Sequence, residues 1–487
     1  MDNFQKIRAW LADLAPLPAH QASMAPALEE IYTPQDHEAA LDPERMLVVG
    51  GRGVGKSFWA GAMLNNASRE MVGRRYPKLK LNQYHVALGF TEGDSIATAG
   101  VPSAEVMTEL IQKDGFKAET IWRAVLIHVL RDQIDLPLPL RWRGKDGLVA
   151  WVDDDAERMQ MQLMAAEKKL DERGIRQLIV FDGLDRLADN WPDIRVRARA
   201  LMRVALALRS YRSIKLKIFM RVDQADDSLL WDFPDASKLS STRVDLRWER
   251  RDLYGLLFSQ LANHTSTRVS FDALLQEKLD ITLKKSPQKG LPRDLMEDEI
   301  KQEAVFNLIA GQYMGSDRRR GKTYSWLHNH LADAFGNVSP RTFLAAIRTA
   351  ATQAGNLDEK VIEPKGLQAG LQTASQQRVE QLREDFFWIR DTLEPLADLA
   401  VPCVSGSLFE RWQEAGTIAT IEEYAKNKHA LAPVEFDSAS GVSPKSLLNA
   451  LLRLGVAEKR PDGRINVPDI YRVAAKLLKR GGVKAKS

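Results

Sequence analysis

Residues 46–57 read Met-Leu-Val-Val-Gly-Gly-Arg-Gly-Val-Gly-Lys-Ser. An apolar run typical of a buried strand passes directly into the pattern Gly-x-x-x-x-Gly-Lys-Ser, which begins at Gly50 and ends at Ser57. Glycines allow successive backbone N–H groups to turn toward an anion, because a residue without Cβ tolerates the backbone angles and the close approach. The segment therefore predicts a phosphate-binding loop between a strand and a helix.

The residue types in this loop predict a magnesium nucleotide as the ligand. Lys56 is expected to neutralise the β and γ phosphates, and the Ser57 hydroxyl is expected to bind Mg²⁺. The helix that follows presents the positive end of its dipole to the same anion. The residues expected to line the nucleotide are Gly50, Gly51, Arg52, Gly53, Val54, Gly55, Lys56, Ser57 and Phe58.

A second motif lies at residues 177–187, Gln-Leu-Ile-Val-Phe-Asp-Gly-Leu-Asp-Arg-Leu. Its apolar run suits a central parallel strand, and ligands bind at the carboxyl ends of such strands. We expect Asp182 to hold the Mg²⁺ together with Ser57, and Asp185 to polarise the water that attacks the γ-phosphate. The alternatives are a strand-end cap for Asp182, and for Asp185 a salt bridge to Arg186 or a helix N-cap.

Further strand candidates occur at residues 84–90, 214–220 and 244–246, and the first of these lies between the two motifs. With this order the chain resembles the AAA+ and STAND group of P-loop ATPases. Within that group it is similar to KAP-like ATPases, whose acidic strand ends in a comparable Asp-x-Leu-Asp-Arg run, although Gly183 stands where a second acid is often found. No Asn-Lys-x-Asp or Thr-Lys-x-Asp motif follows the loop, which favours ATP over GTP.

The resemblance implies two more residues near the γ-phosphate. Asp223 or Arg221, directly after the strand at 214–220, stands at the sensor 1 position. Arg341 follows Ser339 and Pro340, a good N-cap and a good first helical residue, and resembles the sensor 2 arginine of a helical lid. The alternative for the sensor 1 position is a solvent-facing loop salt bridge, and for Arg341 it is a surface or interdomain salt bridge.

The carboxyl-terminal region is basic although the net charge of the whole chain is only +4. Residues 441–487 contain eleven Lys and Arg against three Asp and Glu. A helix from Lys445 to Leu454 and a hairpin around Pro461-Asp462-Gly463, with an earlier helix near 421–430, resemble a winged-helix domain. The expected nucleic-acid contacts are Lys445, Arg453, Lys459, Arg460 and Arg464. A protein-interaction module with a solvated basic face is the alternative.

These observations predict an α/β fold, with a parallel-sheet P-loop NTPase core, a helical lid and a small winged-helix-like α+β domain. The expected divisions are an N-terminal helical segment at 1–45, the core at 46–265, the lid at 266–375, and a connecting helix with the basic domain at 376–487.

No apolar stretch is long enough to span a bilayer and no signal peptide is evident, so we expect a cytoplasmic protein. The single Cys403 excludes an intramolecular disulfide, and His328 and His330 are expected to be structural.

The leading hypothesis is an ATP-binding and ATP-hydrolysing switch that controls a partner or a process involving nucleic acid. No nuclease, protease or transferase motif is evident, which favours a separate effector protein, and the chain is a candidate homo-oligomer. The resemblance implies a setting in bacterial defence against phage or mobile elements. Two alternatives are a DNA-binding regulator or scaffold that holds ATP with little turnover, and an oligomeric DNA-remodelling or transposition factor.

Overall fold

The computed structural model describes residues 2–15, 22, 24–92, 100–283, 291–353, 359–428, 430–437 and 441–479. The chain divides into two units. The sheet unit comprises residues 19–51 and 55–246, and the helical unit comprises residues 1–18, 52–54 and 247–487. The expected core boundary at 265 thus lies inside the helical unit, and the expected segment 1–45 is divided between the two units.

Within its described residues the sheet unit contains five parallel strands, in the order β2-β3-β4-β1-β5. β1 precedes the phosphate loop, and β4 lies between it and β3, which carries the second motif. The almost complete burial of these three strands agrees with their apolar sequences, as expected for a parallel sheet covered on both faces. The expected α/β fold is confirmed. The strands are β1 (Leu47–Gly50), β2 (Tyr84–Phe90), β3 (Arg176–Phe181), β4 (Ile214–Arg221) and β5 (Val244–Asp245).

The core of the sheet unit is organised around Trp122. Its ring lies edge-on between those of Phe90 on β2 and Phe181 on β3, with centroid distances of 5.9 and 5.7 Å. The indole N–H donates to the carbonyl of Arg197 at 2.8 Å, so the buried ring leaves no unpaired donor. The helices of this unit are α2 (Glu38–Leu41), α3 (Lys56–Leu64), α4 (Asn66–Arg75), α5 (Ala104–Gln112), α6 (Ala118–Val129), α7 (Leu148–Asp154), α8 (Ala156–Glu172), α9 (Trp191–Ala207), α10 (Val222–Ala225) and α11 (Ser237–Ser240).

The helical unit is built around two helices that pack unusually closely, α17 and α18. A Cβ on Gly370 would lie 2.3 Å from the carbonyl oxygen of Ala346, so only glycine permits this approach. The helices are α1 (Asn3–Ala12), α12 (Arg250–Asn263), α13 (Thr265–Leu279), α14 (Arg293–Glu297), α15 (Glu299–Ala310), α16 (Thr323–Leu331), α17 (Pro340–Thr352), α18 (Pro364–Asp385), α19 (Trp388–Leu393), α20 (Ser405–Glu414), α21 (Thr417–Lys428), α22 (Pro444–Arg453) and α23 (Asp469–Arg472). None of the helices in the described ranges is long and apolar enough to cross a membrane.

The last part of the helical unit contains the predicted helix and hairpin. After α22 come β6 (Glu458–Lys459) and β7 (Ile465–Asn466), which pair antiparallel around a turn with Gly463 at a φ of +84°. Cys403 exchanges two backbone hydrogen bonds with Ile465, at 2.9 and 2.7 Å, and so adds a short bridge to the hairpin. The winged-helix assignment stays a prediction. Part of the basic tail, Arg480, Lys484 and Lys486, lies outside the described residues.

A fully buried lysine ties the segment before β1 to the sheet. Lys217 on β4 donates to the carbonyls of Ala40 at 3.0 Å, of Asp42 at 2.6 Å and of Arg45. Burial lowers the pKa of Lys217 to about 7, while the three acceptors favour its ammonium form by using all three N–H donors. The strand that leads into the phosphate loop therefore starts from an anchored segment.

Replacing Lys217 by Met should destabilise the protein by about 2–4 kcal/mol, because the change leaves buried carbonyls without a donor. Urea unfolding monitored by tryptophan fluorescence measures the effect. Lys215→Met is the matched control, since Lys215 pairs at 2.8 Å with the half-exposed Glu44 and should matter by less than about 1 kcal/mol. Equal unfolding midpoints for the two variants would contradict this role of Lys217.

Candidate nucleotide site

The predicted loop joins β1 to α3 without any intervening element. β1 ends at Gly50 and α3 begins at Lys56. Gly53 and Gly55 have φ angles of +78° and +103°, a region that side chains rarely adopt. A Cβ on Gly55 would meet nothing closer than Trp59 at 3.8 Å, so the backbone angle and not crowding requires glycine there.

Two side chains of the loop form hydrogen bonds at this edge of the sheet. The Lys56 ammonium donates to the carbonyls of Gly50 at 2.9 Å and of Gly51 at 3.0 Å. The Ser57 hydroxyl donates to Oδ2 of Asp182 at 2.6 Å. The structure thus brings the two sequence motifs together at the carboxyl edge of the sheet.

Asp182 is a buried carboxylate, 4% exposed, whose backbone N–H donates to the carbonyl of Phe90 at 3.0 Å. Burial raises the pKa of this carboxyl, and the Ser57 hydrogen bond and the Lys56 charge offset the rise only in part. A divalent cation would stabilise the ionised form. The described residues contain no cluster of three or more His, Cys, Asp or Glu suited to a metal. The hydrogen-bonded pair of Ser57 and Asp182 would hold Mg²⁺, with phosphate and water supplying the other oxygens.

Asp185 and Asp223 share one arginine. Arg221 donates to Asp185 Oδ2 at 3.0 Å, and to both oxygens of Asp223 at 3.0 and 2.8 Å. Arg221 ends β4 and is the register partner of Gly50, so its backbone lies beside the first residue of the loop. The two residues that the sequence presented as alternative sensors are therefore paired with each other. This salt bridge is buried, unlike the solvent-facing one that the sequence offered as the alternative.

The groups around Asp185 keep its carboxylate ionised, and arginine already binds it. Burial opposes ionisation, yet the charges of Arg221, Arg186 and Lys56 outweigh it, and the pKa of Asp185 lies below its usual range. Arg186 lies 3.7 Å from Asp185 and 3.5 Å from Glu92, which follows β2. An ionised carboxylate that already accepts from guanidinium groups is a weak base. Asp185 can act on water only if Arg221 moves or loosens.

Gly183 departs from the acid often found at its position in the resembling group, and the structure explains the departure. It has a φ of +70°, and a Cβ there would lie 3.1 Å from the backbone nitrogen of Glu92. A side chain would be strained and crowded at once. Sequence reasoning missed Glu92, although a polar residue directly after a parallel strand lies at the edge where ligands bind and could have been named from that position.

Arg341 occupies the place in its helix that the sequence predicts. The Ser339 hydroxyl accepts from the N–H of Thr342 at 3.1 Å, which caps α17, and Pro340 is the first helical residue. Arg341 then stands in the first turn. Burial lowers the pKa of Arg341, and the charges of Arg52 and Arg378 lower it further, while Glu384 opposes the change.

The tip of the phosphate loop, residues 52–54, packs with the helical unit. Arg52 pairs with Glu384 and Asp385 at the end of α18, and its carbonyl accepts from Arg378 at 3.0 Å. Together with Arg341, three arginines thus gather at the loop tip. The ion pairs of Arg52 could not be found from the sequence, because no local pattern marks partners more than 300 residues away.

Three of the five proposed nucleic-acid contacts are paired with acids. Arg453 forms an ion pair with Glu435 at 2.8 Å and is largely shielded from solvent. Arg464 pairs with Asp462 at 2.7 Å, and Arg460 lies 3.9 Å from Glu458. Lys445 and Lys459 are exposed. Arg464 is exposed as well, although Asp462 pairs with its charge.

Comparisons with known proteins leave the family open. No protein-family model matches the chain, and no curated protein matches it in sequence. Cdc6p from Pyrobaculum aerophilum is a similar solved structure, with 12% identity over 97% of this chain and 91% of that chain and a TM-score of 0.26. The ORC2 protein of Aeropyrum pernix, in ADPNP and ADP complexes, has 11% identity over 94% and 98% and a TM-score of 0.30. The ORC1 protein of the same organism, in complex with DNA, has 13% identity over 93% and 94% and a TM-score of 0.34.

Two substitutions should separate phosphate binding from metal binding. Lys56→Ala should weaken ADP binding roughly tenfold or more with or without Mg²⁺, because one charged hydrogen-bond donor is lost. Asp182→Asn should keep the Mg²⁺-free affinity and lose the gain that Mg²⁺ provides. Isothermal titration calorimetry measures both, with the exposed Asp154→Asn as control. A full Mg²⁺ effect in Asp182→Asn would exclude Asp182 as a metal ligand.

Proposed function

We propose that this chain is an ATPase with an AAA+ or STAND type of core, which binds MgATP at residues 50–58 and works as a molecular switch. The observation that carries the proposal is the 2.6 Å hydrogen bond from Ser57 to Asp182. It joins the end of the phosphate loop to a buried carboxylate whose raised pKa favours a cation. MgATP would supply the phosphoryl group and the metal charge. The protein side chains bind and orient it.

In the proposed reaction, Lys56 exchanges the carbonyls of Gly50 and Gly51 for phosphate oxygens. A phosphate oxygen would take the place of Asp185 at Nη1 of Arg221, while Asp223 keeps its two hydrogen bonds to Nε and Nη2. Asp185 would then be free to orient water and to accept a proton from it. Binding of the triphosphate and release of the base become one event.

The switch output is proposed to pass through the loop tip. Arg52 belongs both to the loop sequence and to the helical unit, where Glu384 and Asp385 hold it. A change in the loop on nucleotide binding therefore changes contacts at the end of α18. Burial and the charge of Arg52 lower the pKa of Arg341. We propose that Arg341 responds to the same phosphates.

The downstream partner is proposed to be nucleic acid or a separate effector protein. The helix and hairpin at 444–466 carry two exposed lysines, Lys445 and Lys459, which suit a DNA backbone in a winged-helix arrangement. A cytoplasmic switch, assembled as a homo-oligomer and serving bacterial defence against phage or mobile elements, is the setting that the sequence resemblance supports.

One observation favours a second candidate, a DNA-binding regulator that holds ATP with little turnover. Asp185 is paired with Arg221 at 3.0 Å and faces Arg186 at 3.7 Å. If Arg221 stays in place when ATP binds, the carboxylate cannot serve as the base. The protein would then bind ATP stably.

Steady-state hydrolysis of MgATP distinguishes the two candidates. In the switch, Asp185→Asn should keep ATP affinity and lower kcat by about 10²-fold or more, because the group that accepts the proton is lost. Asp154→Asn serves as the exposed control. Tight ATP binding by the wild type with no turnover, in the presence or absence of duplex DNA, would favour the regulator instead. Normal hydrolysis by Asp185→Asn would show that another residue activates the water.

Duplex DNA at low salt should bind to the chain and raise its ATP turnover, and the double change Lys445→Gln, Lys459→Gln should reduce both effects. Arg453→Gln should instead lower the thermal unfolding temperature, because it leaves Glu435 largely shielded and without its partner. Anisotropy of labelled DNA and differential scanning fluorimetry measure the two outcomes. Turnover that ignores DNA would make this basic region a protein-docking surface.

A further inference from the structure

Three consecutive arginines stand apart from the other charged groups of the helical unit. Arg318, Arg319 and Arg320 form one 3₁₀ turn in the connection between α15 and α16, and all three are exposed. Within the described ranges, none of the three guanidinium groups forms an ion pair or a hydrogen bond. Several other arginines of this unit are paired with acids, as Arg453 is with Glu435 and Arg472 with Asp469.

The connection that carries the arginines is braced by backbone hydrogen bonds. The N–H of Met314 donates to the carbonyl of Gly321 at 2.9 Å, and Tyr313 pairs antiparallel with Lys322. At the base, Thr323 donates through its N–H to Gln312 at 3.1 Å. The segment is therefore a closed hairpin-like loop that holds its tip in one arrangement.

Local contacts also fix the conformation of the turn at the tip of the loop. Asp317 accepts the N–H of Arg319 at 2.8 Å, which starts the turn and occupies one oxygen of the only acid at the tip. Gly321 closes the turn with a φ of +85°. A Cβ on Gly315 would lie 2.7 Å from Cγ of Arg320, so glycine lets the stem of that arginine fold across the turn. Three like charges are thus held close together with one acid, Asp317, beside them, and an anionic ligand would relieve the remaining repulsion.

The geometry of the turn selects among anionic partners. A 3₁₀ helix has about three residues per turn, so successive side chains point roughly 120° apart. The cations fan out around the tip, and a flat anionic membrane could engage only part of the fan. The preceding residues Gly315, Ser316 and Asp317 also offer no apolar anchor for a membrane. A duplex groove has phosphates on both walls, and arginine is favoured in narrow minor grooves.

We infer that the turn Arg318–Arg320 is a DNA-binding element that enters a groove of duplex DNA and contacts phosphates on both strands. It extends the proposed function by a second contact surface, formed by residues other than Lys445 and Lys459. The inference shares with that function the assumption of a nucleic-acid partner. It does not require ATP hydrolysis.

The test uses the full-length chain and a short fluorescein-labelled duplex with a central A-tract, titrated by anisotropy over a range of salt concentrations. The triple variant Arg318→Gln, Arg319→Gln, Arg320→Gln should bind more weakly. The slope of log affinity against log salt should become shallower by roughly 2–3, since each lost phosphate contact contributes about 0.9. A triple Lys variant should keep most of the slope and lose part of the A-tract preference.

A matched control removes three exposed arginines from the sheet unit, with the substitutions Arg74→Gln, Arg209→Gln and Arg212→Gln. It changes the net charge by the same amount and should leave the salt slope unchanged. A slope reduced equally in both triple variants would show a general charge effect and would overturn the inference. Loop-dependent binding to phosphatidylserine vesicles, with DNA affinity unaffected by the loop variant, would assign the turn to a membrane and overturn it too.

Parallel measurement of ATP turnover separates this inference from the proposed function. Loop-dependent DNA binding by a protein with no turnover would support the inference while removing the ATPase proposal. ATP turnover that DNA stimulates through Lys445 and Lys459 would support the ATPase proposal. If the loop variant leaves both this turnover and the salt slope unchanged, the inference about the turn is overturned. Circular dichroism melting of each variant confirms that the comparison is made between folded proteins.

Discussion

The pairing of β4 between β1 and β3 is the constraint on which the candidate site depends. Because all three strands are parallel, their carboxyl ends meet at one edge. This edge receives the phosphate loop from β1, Arg221 from β4 and Asp182 from β3. Arg221 therefore emerges between the loop and the acidic motif, where it can serve either the carboxylates or a bound phosphate.

The two carboxylates at this edge of the sheet have different amounts of positive charge around them. Asp182 is buried with a hydroxyl and one ammonium group for support, and its pKa is raised. Asp185 is less deeply buried and faces Arg221, Arg186 and Lys56, and its pKa is lowered. The difference fits the tasks proposed for them: Asp182 has less positive charge around it and would hold the metal, whereas Asp185 would have to be released from its cations before it acts on water.

In the helical unit, the surroundings of each arginine decide whether its charge is paired with an acid or exposed. Arg472 is almost fully buried and neutralised by Asp469, and Arg453 is held by Glu435. Arg52 is tied to the end of α18. Arg318 to Arg320 lie on a braced turn and have no such partners among the described residues. Identical side chains thus form internal ion pairs in one place and an exposed cationic surface in another, which composition alone cannot distinguish.

The sequence by itself determined the strand, loop and helix at 47–64, the buried strands at 176–181 and 214–221, the cap of α17 and the hairpin after α22, because each follows from local periodicity, glycine placement or capping chemistry. Only the tertiary structure decided that Arg221 holds Asp185, that Glu92 lies against Gly183, that Arg52 pairs with Asp385 and that Arg453 is not free. These contacts join residues far apart in the chain. They depend on strand order and helix packing, which no local pattern encodes.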